Sequence, residues 1–195
     1  MKVEDWIPAH ETGVQTDTEH SVDCADEEEA KELYNQVRHR LLNINGWHGL
    51  AGTVTAGFQL VDAEGRPVRR LAQTGDYFRI DIPAPGTDAG AGHDWVRIEN
   101  IDEHPEGTAI RVRPSPPPGS SEDVGHFFSD HATSSFIAWR DNNRVTAGVY
   151  GRNEKPNTDV SSIGDKIRNA AVAIGAFLGF SKLQWKTLVH GLIKG

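Results

Sequence analysis

The chain has 195 residues, a formal net charge of −8 and a single cysteine, Cys24. Because a chain of this length can bury a core of its own, it needs neither disulfide crosslinks nor a structural zinc. The single cysteine also excludes an intrachain disulfide. Residues 1–35 carry eleven Asp/Glu against Lys2 and Lys31, a charge of −9, whereas the remaining 160 residues carry +1. Without a basic surplus in the body of the chain, nucleic acid is not expected as a partner.

The chain is predicted to be cytoplasmic and to have no membrane span. Its first residues, Met1 to Trp6, are acidic where a secretory signal has a basic flank followed by an apolar run. The longest mostly apolar run, Ala170–Phe180, is shorter than the roughly 20 residues that a helix needs to cross a bilayer. A single cysteine agrees with a reducing compartment.

Residues 1–25 are predicted to form an acidic, loosely ordered arm, and residues 26–195 a single α+β domain. The arm is rich in Thr, Glu, Asp and His, and buries too little apolar surface to offset the entropy of ordering it. Trp6 and Ile7 are the apolar exception. Two outcomes stay open for them: docking on the body or on another chain, and disorder.

The first predicted helix starts after Asp26, which can cap backbone N–H groups, with Glu29 at capping-box spacing. Leu33, Val37 and Leu41 then recur at helical spacing and form one apolar stripe. We expect this helix to end near residues 43–46.

Between Gly52 and Tyr150 apolar residues alternate with polar ones, which predicts an antiparallel sheet. A first hairpin is expected where Thr53–Val61 and Pro67–Ala72 flank a turn ending in Gly65. Further strands are expected at Asp76–Ile82, at Asp94–Ile101, around Ile110 and Val112, and in a last hairpin of Ser134–Arg140 with Arg144–Tyr150. Residues 83–92 and 114–121, rich in Pro and Gly, are expected to be loops.

Beyond Ser162 the helical period returns, with apolar residues such as Ile163, Ile167 and Ile174 on one face. Gly179 can end this helix, and the capping-box spacing after Ser181 predicts a second one. The predicted fold is therefore α+β: a curled antiparallel sheet or a small barrel of about 6–7 strands, with one N-terminal helix and a C-terminal helical hairpin. A curled sheet gripped by a C-terminal helix and a small barrel fit the pattern equally well.

No stretch of the sequence carries a specific catalytic or cofactor motif. Ser129, Asp130 and His131 are consecutive, so their side chains diverge and cannot form one relay, and no Gly-x-Ser-x-Gly elbow occurs. His126 and His131 have no recognised metal-ligand spacing, and the glycine-rich loop at 83–92 does not match a phosphate-binding loop. Neither a metal nor a cofactor is predicted.

Candidate ligand contacts come from the polar and aromatic residues that the predicted topology places at strand ends. Residues 151–157 leave the last strand before a helix, and strand-end loops often carry functional groups on a rigid scaffold. The alternating Arg, Asp and Glu of the middle strands form either a ladder of exposed ion pairs or an anion site. The candidate residues are His126, His131, Trp95, Arg152, Asn153 and Glu154.

Two hypotheses of function follow. The first is a non-catalytic binding or assembly protein that contacts a protein partner, or another copy of itself, through Trp6 and Ile7, the long loops or the C-terminal helices. The alternative is a small-ligand-binding protein or a hydrolase-type enzyme with a pocket between the sheet and the helices.

Overall fold

The structure is a computed structural model, and it describes residues 2–52, 56–81, 94–120, 131–155 and 182–195. The first helix of the predicted C-terminal hairpin, the glycine-rich loop at 83–92, and the residues His126, Ser129 and Asp130 lie outside the described residues. Within the described ranges, no helix is both long enough and apolar enough to cross a bilayer.

In the described residues, seven antiparallel strands form one sheet in the order β1-β7-β6-β5-β4-β3-β2. Because β1 and β2 are the two ends of this order, the sheet is open, and the predicted alternative of a small closed barrel is wrong. The strands are β1 (Val14–Asp23), β2 (Gly57–Val61), β3 (Tyr77–Asp81), β4 (Asp94–His104), β5 (Gly107–Pro114), β6 (Thr133–Asp141) and β7 (Arg144–Glu154).

Three of the helices that the structure describes pack on one face of the sheet, which we call the inner face: α1 (Glu27–Leu42), α2 (Trp47–Ala51) and α3 (residues 182–194). At the start of α1, Asp26 Oδ1 accepts the backbone N–H of Glu29 at 2.9 Å, and Glu29 Oε2 accepts that of Ala25 at 2.7 Å. These two bonds satisfy N–H groups that a helix terminus leaves without partners.

The prediction of a loosely ordered arm is wrong at residues 14–23, because these residues form the edge strand β1. They pair with β7 along its length, and Thr16, Thr18, His20 and Val22 are partly buried. Composition indicates only how much side-chain surface a segment can bury. A polar edge strand is held instead by backbone hydrogen bonds to its neighbour, with every second side chain on the covered face.

Trp6 is docked on the opposite face of the sheet, which we call the outer face. It is 9% exposed in a 3-10 turn over Val3–Trp6, and it packs with Ala109, Ile137 and Tyr150. The Ser135 hydroxyl donates a hydrogen bond to the backbone oxygen of Trp6 at 3.2 Å. The sequence leaves docking and disorder open for this segment, and in the structure Trp6 is docked on the sheet of its own chain.

The first predicted hairpin is formed in part, and the last one is confirmed. The chain turns back at Gly65, and residues 66–68 contact β2 through an isolated bridge between Pro67 and Val61 and a backbone hydrogen bond from Val68 to Leu60. The strand that pairs with β2 along its whole length is β3. Beyond Val68 the segment forms no strand, and the Arg70 guanidinium pairs with the Asp76 carboxylate at 2.6 and 2.8 Å. The last hairpin joins β6 to β7 through Asn142, whose φ is +51°.

The inner core is built around Trp47, which is fully buried. Its ring lies 5.4 Å from that of Phe58, 5.7 Å from that of Phe78 and 4.8 Å from that of Phe136. The indole N–H donates to the backbone oxygen of Leu41 at 3.1 Å, so its polar atom is satisfied at the end of α1. This cluster joins α1, α2 and the sheet into one core.

Trp6→Ala tests the docked segment. The substitution is expected to lower the free energy of unfolding by about 1.5–3 kcal/mol, because alanine lacks the indole ring that is buried against the outer face of the sheet. Chemical denaturation measures this change. Glu4→Ala, an exposed position of the same turn, is the matched control and is expected to change the value by less than about 0.5 kcal/mol. Equal stability of both variants would show that the segment is not docked in solution.

Candidate functional site

Strand β7 extends to Glu154, so Gly151 to Glu154, which were expected in a loop, belong to the sheet. The pairing of β1 with β7 shifts register between Val14 and Thr16, and Asn153 has a φ of +57°. A positive φ is uncommon outside glycine, and such residues often occur where a local geometry serves a function. The last residues of β7 therefore depart from regular strand geometry, both in their pairing with β1 and in the backbone of Asn153.

The carboxyl group of Glu154 lies on the inner face, above Gly151. A side chain at position 151 would overlap this carboxyl and the hydroxyl of Thr16, so glycine is required there. The Thr16 hydroxyl donates to Glu154 Oε2 at 3.3 Å, and Glu154 is 6% exposed. Burial raises the pKa of Glu154 to about 7, while Thr16 and the positive charge of Arg152 act in the opposite direction.

Asn153 fixes the chain that precedes β1. Its side-chain oxygen accepts the backbone N–H groups of Glu11 at 2.8 Å and Thr12 at 3.1 Å, and its amide nitrogen donates to the backbone oxygen of Ala9 at 3.2 Å. All the hydrogen bonds described for this side chain are thus made to the N-terminal segment. Asn153 therefore holds the N-terminal segment against the end of β7.

The side chain of Arg152 lies on the outer face. Its guanidinium donates to Asp17 Oδ1 at 2.5 Å and to the backbone oxygen of Thr16 at 3.2 Å, and it lies 5.9 Å from the ring centre of Tyr150. The Tyr150 hydroxyl donates to Glu19 Oε1 at 2.6 Å, and burial raises the pKa of Tyr150. Arg152 and Tyr150 line an outer-face cleft of about 570 Å³.

Trp95 and its neighbour Asp94 start β4, three strands away from β7. Trp95 lies opposite Arg79 on the outer face, whereas Asp94 lies opposite Ile80, whose side chain packs against the inner core. Burial raises the pKa of Asp94 to about 7. Asp94 is not among the predicted site residues, although it alternates in phase with the apolar Val96, which is a signal of an inner-face carboxyl.

The predicted site residues therefore reach different places. Arg152, Asn153 and Glu154 meet at the end of β7, but their side chains diverge to the outer face, the N-terminal segment and the inner face. Trp95 is on another strand, and His131 is exposed just before β6. Their role in ligand binding stays a prediction.

The charged residues of the middle strands form ion pairs with one another. Arg113 Nε lies 2.6 Å and Arg111 Nε 3.4 Å from oxygens of Glu99, and Arg79 Nε lies 2.9 Å from Asp81 Oδ1. Among the two interpretations of this pattern, the distances favour a ladder of partly exposed pairs. In the part of the chain that the structure describes, no three His, Cys, Asp or Glu side chains are grouped as metal ligands.

Comparisons with known proteins identify a fold and no family. No protein-family model and no curated protein match the chain. A hypothetical protein from Helicobacter pylori has a solved structure with 13% identity and a TM-score of 0.57, over 97% of this chain and 94% of that one. A protein from Thermus thermophilus has 10% identity and a TM-score of 0.49, over 93% and 95% of the two chains. The first likeness supports the antiparallel α+β fold and says nothing about activity.

The raised pKa of Glu154 predicts a pH dependence of stability. Between its ordinary value of 4.5 and its folded value of about 7, the folded chain holds a proton that the unfolded chain has released. The free energy of unfolding therefore falls as the pH rises through this window. Glu154→Gln, which resembles the protonated form, is expected to be more stable than wild type by about 1–3 kcal/mol at about pH 8, and equal to it near pH 4.5.

Denaturation at the two pH values measures this difference. Glu32→Gln makes the same change of net charge at an exposed position of α1 and is the matched control. A Glu154→Gln variant that is no more stable than wild type at the higher pH would contradict a buried carboxyl.

Substitutions of Asn153 separate its backbone role from its side-chain role. Both Asn153→Gly and Asn153→Ala lose the hydrogen bonds to residues 9–12. Glycine adopts the left-handed backbone of this position without strain, whereas alanine adopts it at a steric cost. We expect the alanine variant to be less stable than the glycine variant by about 1 kcal/mol. Thermal denaturation compares them, and equal stabilities would show that the positive φ of Asn153 carries no cost.

Proposed function

We propose that the protein binds a small organic ligand between the inner face of the sheet and the helices, with Glu154 and Asp94 as its polar contacts. This is the function that the geometry favours over the assembly hypothesis. It rests above all on one observation: a carboxyl group buried on an apolar sheet face and accommodated by a specific backbone geometry.

A buried carboxyl is costly, because an ionised group loses its hydration when it leaves water. Glu154 nevertheless occupies the inner face, above a glycine that leaves it room and next to a residue with positive φ. Within the described ranges its hydrogen-bond partner is the hydroxyl of Thr16. A costly group supported by a local irregularity is a reasonable candidate for a functional group.

Aromatic side chains supply the apolar part of the proposed site. Trp185, on α3, is partly buried, and its ring lies 5.2 Å from that of Phe136 and 6.4 Å from that of Phe58. These rings lie between α3 and the inner face of the sheet. A site of this kind suits a ligand with a flat apolar body and a polar group, such as an amide or an amine.

The spacing of the two carboxyls supports binding over hydrolysis. Asp94 is on β4 and Glu154 on β7, which are three strand spacings apart, roughly 14 Å across the sheet. Carboxyl pairs that cleave glycosidic bonds are closer, at about 5–9.5 Å. The two groups suit opposite ends of one ligand. A hydrolase-type activity therefore has less support, although Ser129 and Asp130 lie outside the described residues.

Protein–protein contact is the second candidate function, and two observations favour it. Leu183 is 60% exposed on α3, and β1 is an edge strand of the described sheet. An exposed edge can accept a strand from another chain. Trp6, which first suggested this hypothesis, is buried against its own sheet. A cytoplasmic location and the absence of nucleic-acid partners remain predictions from composition.

A thermal-shift screen with aromatic ligands that carry an amine or amide at each end, such as 4,4′-bis(aminomethyl)biphenyl and biphenyl-4,4′-dicarboxamide, tests the proposal. A ligand that binds the folded chain raises its apparent stability by mass action. We expect hits on wild type to lose about tenfold or more in affinity on Glu154→Gln and on Asp94→Asn, because each substitution removes a hydrogen bond to a carboxyl group.

Asp102→Asn is the matched control, because Asp102 lies on the same strand as Asp94 but opposite Ala109 of the outer-face cluster. It is expected to bind as wild type does. Hits that bind all four proteins equally would contradict the proposed site. Absence of any hit together with a dimer in light scattering would favour the second candidate function.

A further inference from the structure

A separate groove lies at the β1 edge of the fold, between β1, the end of α2 and α3. It has a volume of about 460 Å³, within the range of small-molecule sites. Its walls include Leu50 and Ala51 from α2 and Leu183 and Val189 from α3. Leu183 is a large apolar residue that is exposed to solvent and lines this groove.

Basic side chains follow the groove along α3. Lys186, His190 and Lys194 recur every fourth residue, which places them on one face of the helix, and all three are exposed. Lys186 and His190 line the groove, and the His190 ring lies 4.7 Å from that of His20 on β1. Among the described residues, none of the three has an ion-pair partner within 4.0 Å.

One carboxyl also lines the groove, that of Glu19, but it is engaged elsewhere. Glu19 Oε1 accepts the Tyr150 hydroxyl at 2.6 Å, and Tyr150 belongs to the outer-face cluster. This hydrogen bond directs the Glu19 carboxylate to the outer face, whereas the charge that faces the groove from α3, that of Lys186, is positive. The pKa of His20 is lowered by burial first and then by His190 and Lys194, as expected where positive groups gather.

The groove has room beside α2. A Cβ atom at Gly49 would meet no heavy atom within 4 Å, so the wall of α2 leaves open space at this position. The same measure at Gly191 of α3 shows overlap with the backbone of Leu50, so α2 and α3 are in close contact at the base of the groove. A closed base, apolar walls and a positive rim describe a site for a short amphiphile.

We propose that this groove binds an anionic amphiphile, a carboxylate with a short alkyl chain, whose head group contacts Lys186 and His190. The alkyl chain lies against Leu50 and Val189, and Leu183 covers its exposed side. Opposite charge selects the head group, because an ammonium or a neutral head gains nothing from the cations of α3. This site is distinct from the inner-face site of Glu154 and does not depend on it.

Titration with octanoate, followed by calorimetry on the full chain, tests the proposal. We expect saturable binding of octanoate and at least tenfold weaker binding of octylamine and octanol. The double variant Lys186→Gln/His190→Gln is expected to bind octanoate at least tenfold more weakly. Lys31→Gln, which removes an exposed lysine of α1, is the matched control and is expected to bind as wild type does.

Two further variants test the walls of the groove. Gly49→Leu fills the open space beside α2, and Leu183→Glu places a negative charge at an exposed position of the rim. Both are expected to weaken octanoate binding at least tenfold, and the exposed Leu183→Glu variant gives an answer even if Gly49→Leu fails to fold.

Equal binding of octanoate and octylamine, or unchanged binding by both wall variants, would overturn the proposal. Vesicles that contain an anionic phospholipid distinguish a membrane surface from a free ligand. Cosedimentation with these vesicles without any octanoate binding would also overturn it. Glu154→Gln is expected to bind octanoate as wild type does, so this result is separable from the inner-face site.

Discussion

The pairing of β1 with β7 is the contact on which both proposed sites depend. It brings Thr16 next to Glu154, Asp17 next to Arg152 and His20 next to α3. The partners in each case are far apart in the sequence, so only the register of the two strands can bring them together. A shift by one residue would exchange the two faces of β1, moving Thr16 and His20 to the outer face.

The register is held from both sides of the sheet. On the inner face, Val22 of β1 packs against the same core as Val145, Ala147 and Val149 of β7. On the outer face, Tyr150 bonds to Glu19 and packs with Trp6. Because residues of opposite polarity alternate on the two strands, each face supports the same register. The edge strand therefore needs no apolar composition of its own.

Local patterns in the sequence predicted what depends on local interactions. The cap formed by Asp26 and Glu29, the last hairpin around Asn142 and the alternation of β4 and β5 each involve residues close in sequence or a regular period. The partner of β2, the docking of Trp6 and the strand at residues 14–23 depend on contacts across the chain, which no local period encodes. For this reason the sequence alone predicts a loosely ordered arm where β1 lies.

The same distinction explains the candidate site. Arg152, Asn153 and Glu154 were selected because polar residues follow an apolar strand, and they do mark an irregular strand end. Simple alternation would place Glu154 on the same face as Arg152. The positive φ of Asn153 changes this, and the space above Gly151 accepts the carboxyl. Neither the positive φ of Asn153 nor the space above Gly151 can be predicted from the sequence unless the register of β1 and β7 is known.

The separation of Arg152 from Glu154 has an energetic consequence. Had both side chains shared one face, the guanidinium would have neutralised the carboxylate and kept its pKa low. Instead Arg152 pairs with Asp17 on the outer face, and Glu154 is left with one hydroxyl among the described residues. Its cost, of the order of a few kcal/mol, is a sizeable part of the roughly 5–15 kcal/mol that stabilise a typical domain. A carboxyl kept at that cost, able to donate a proton near neutral pH, is suited to meet a ligand.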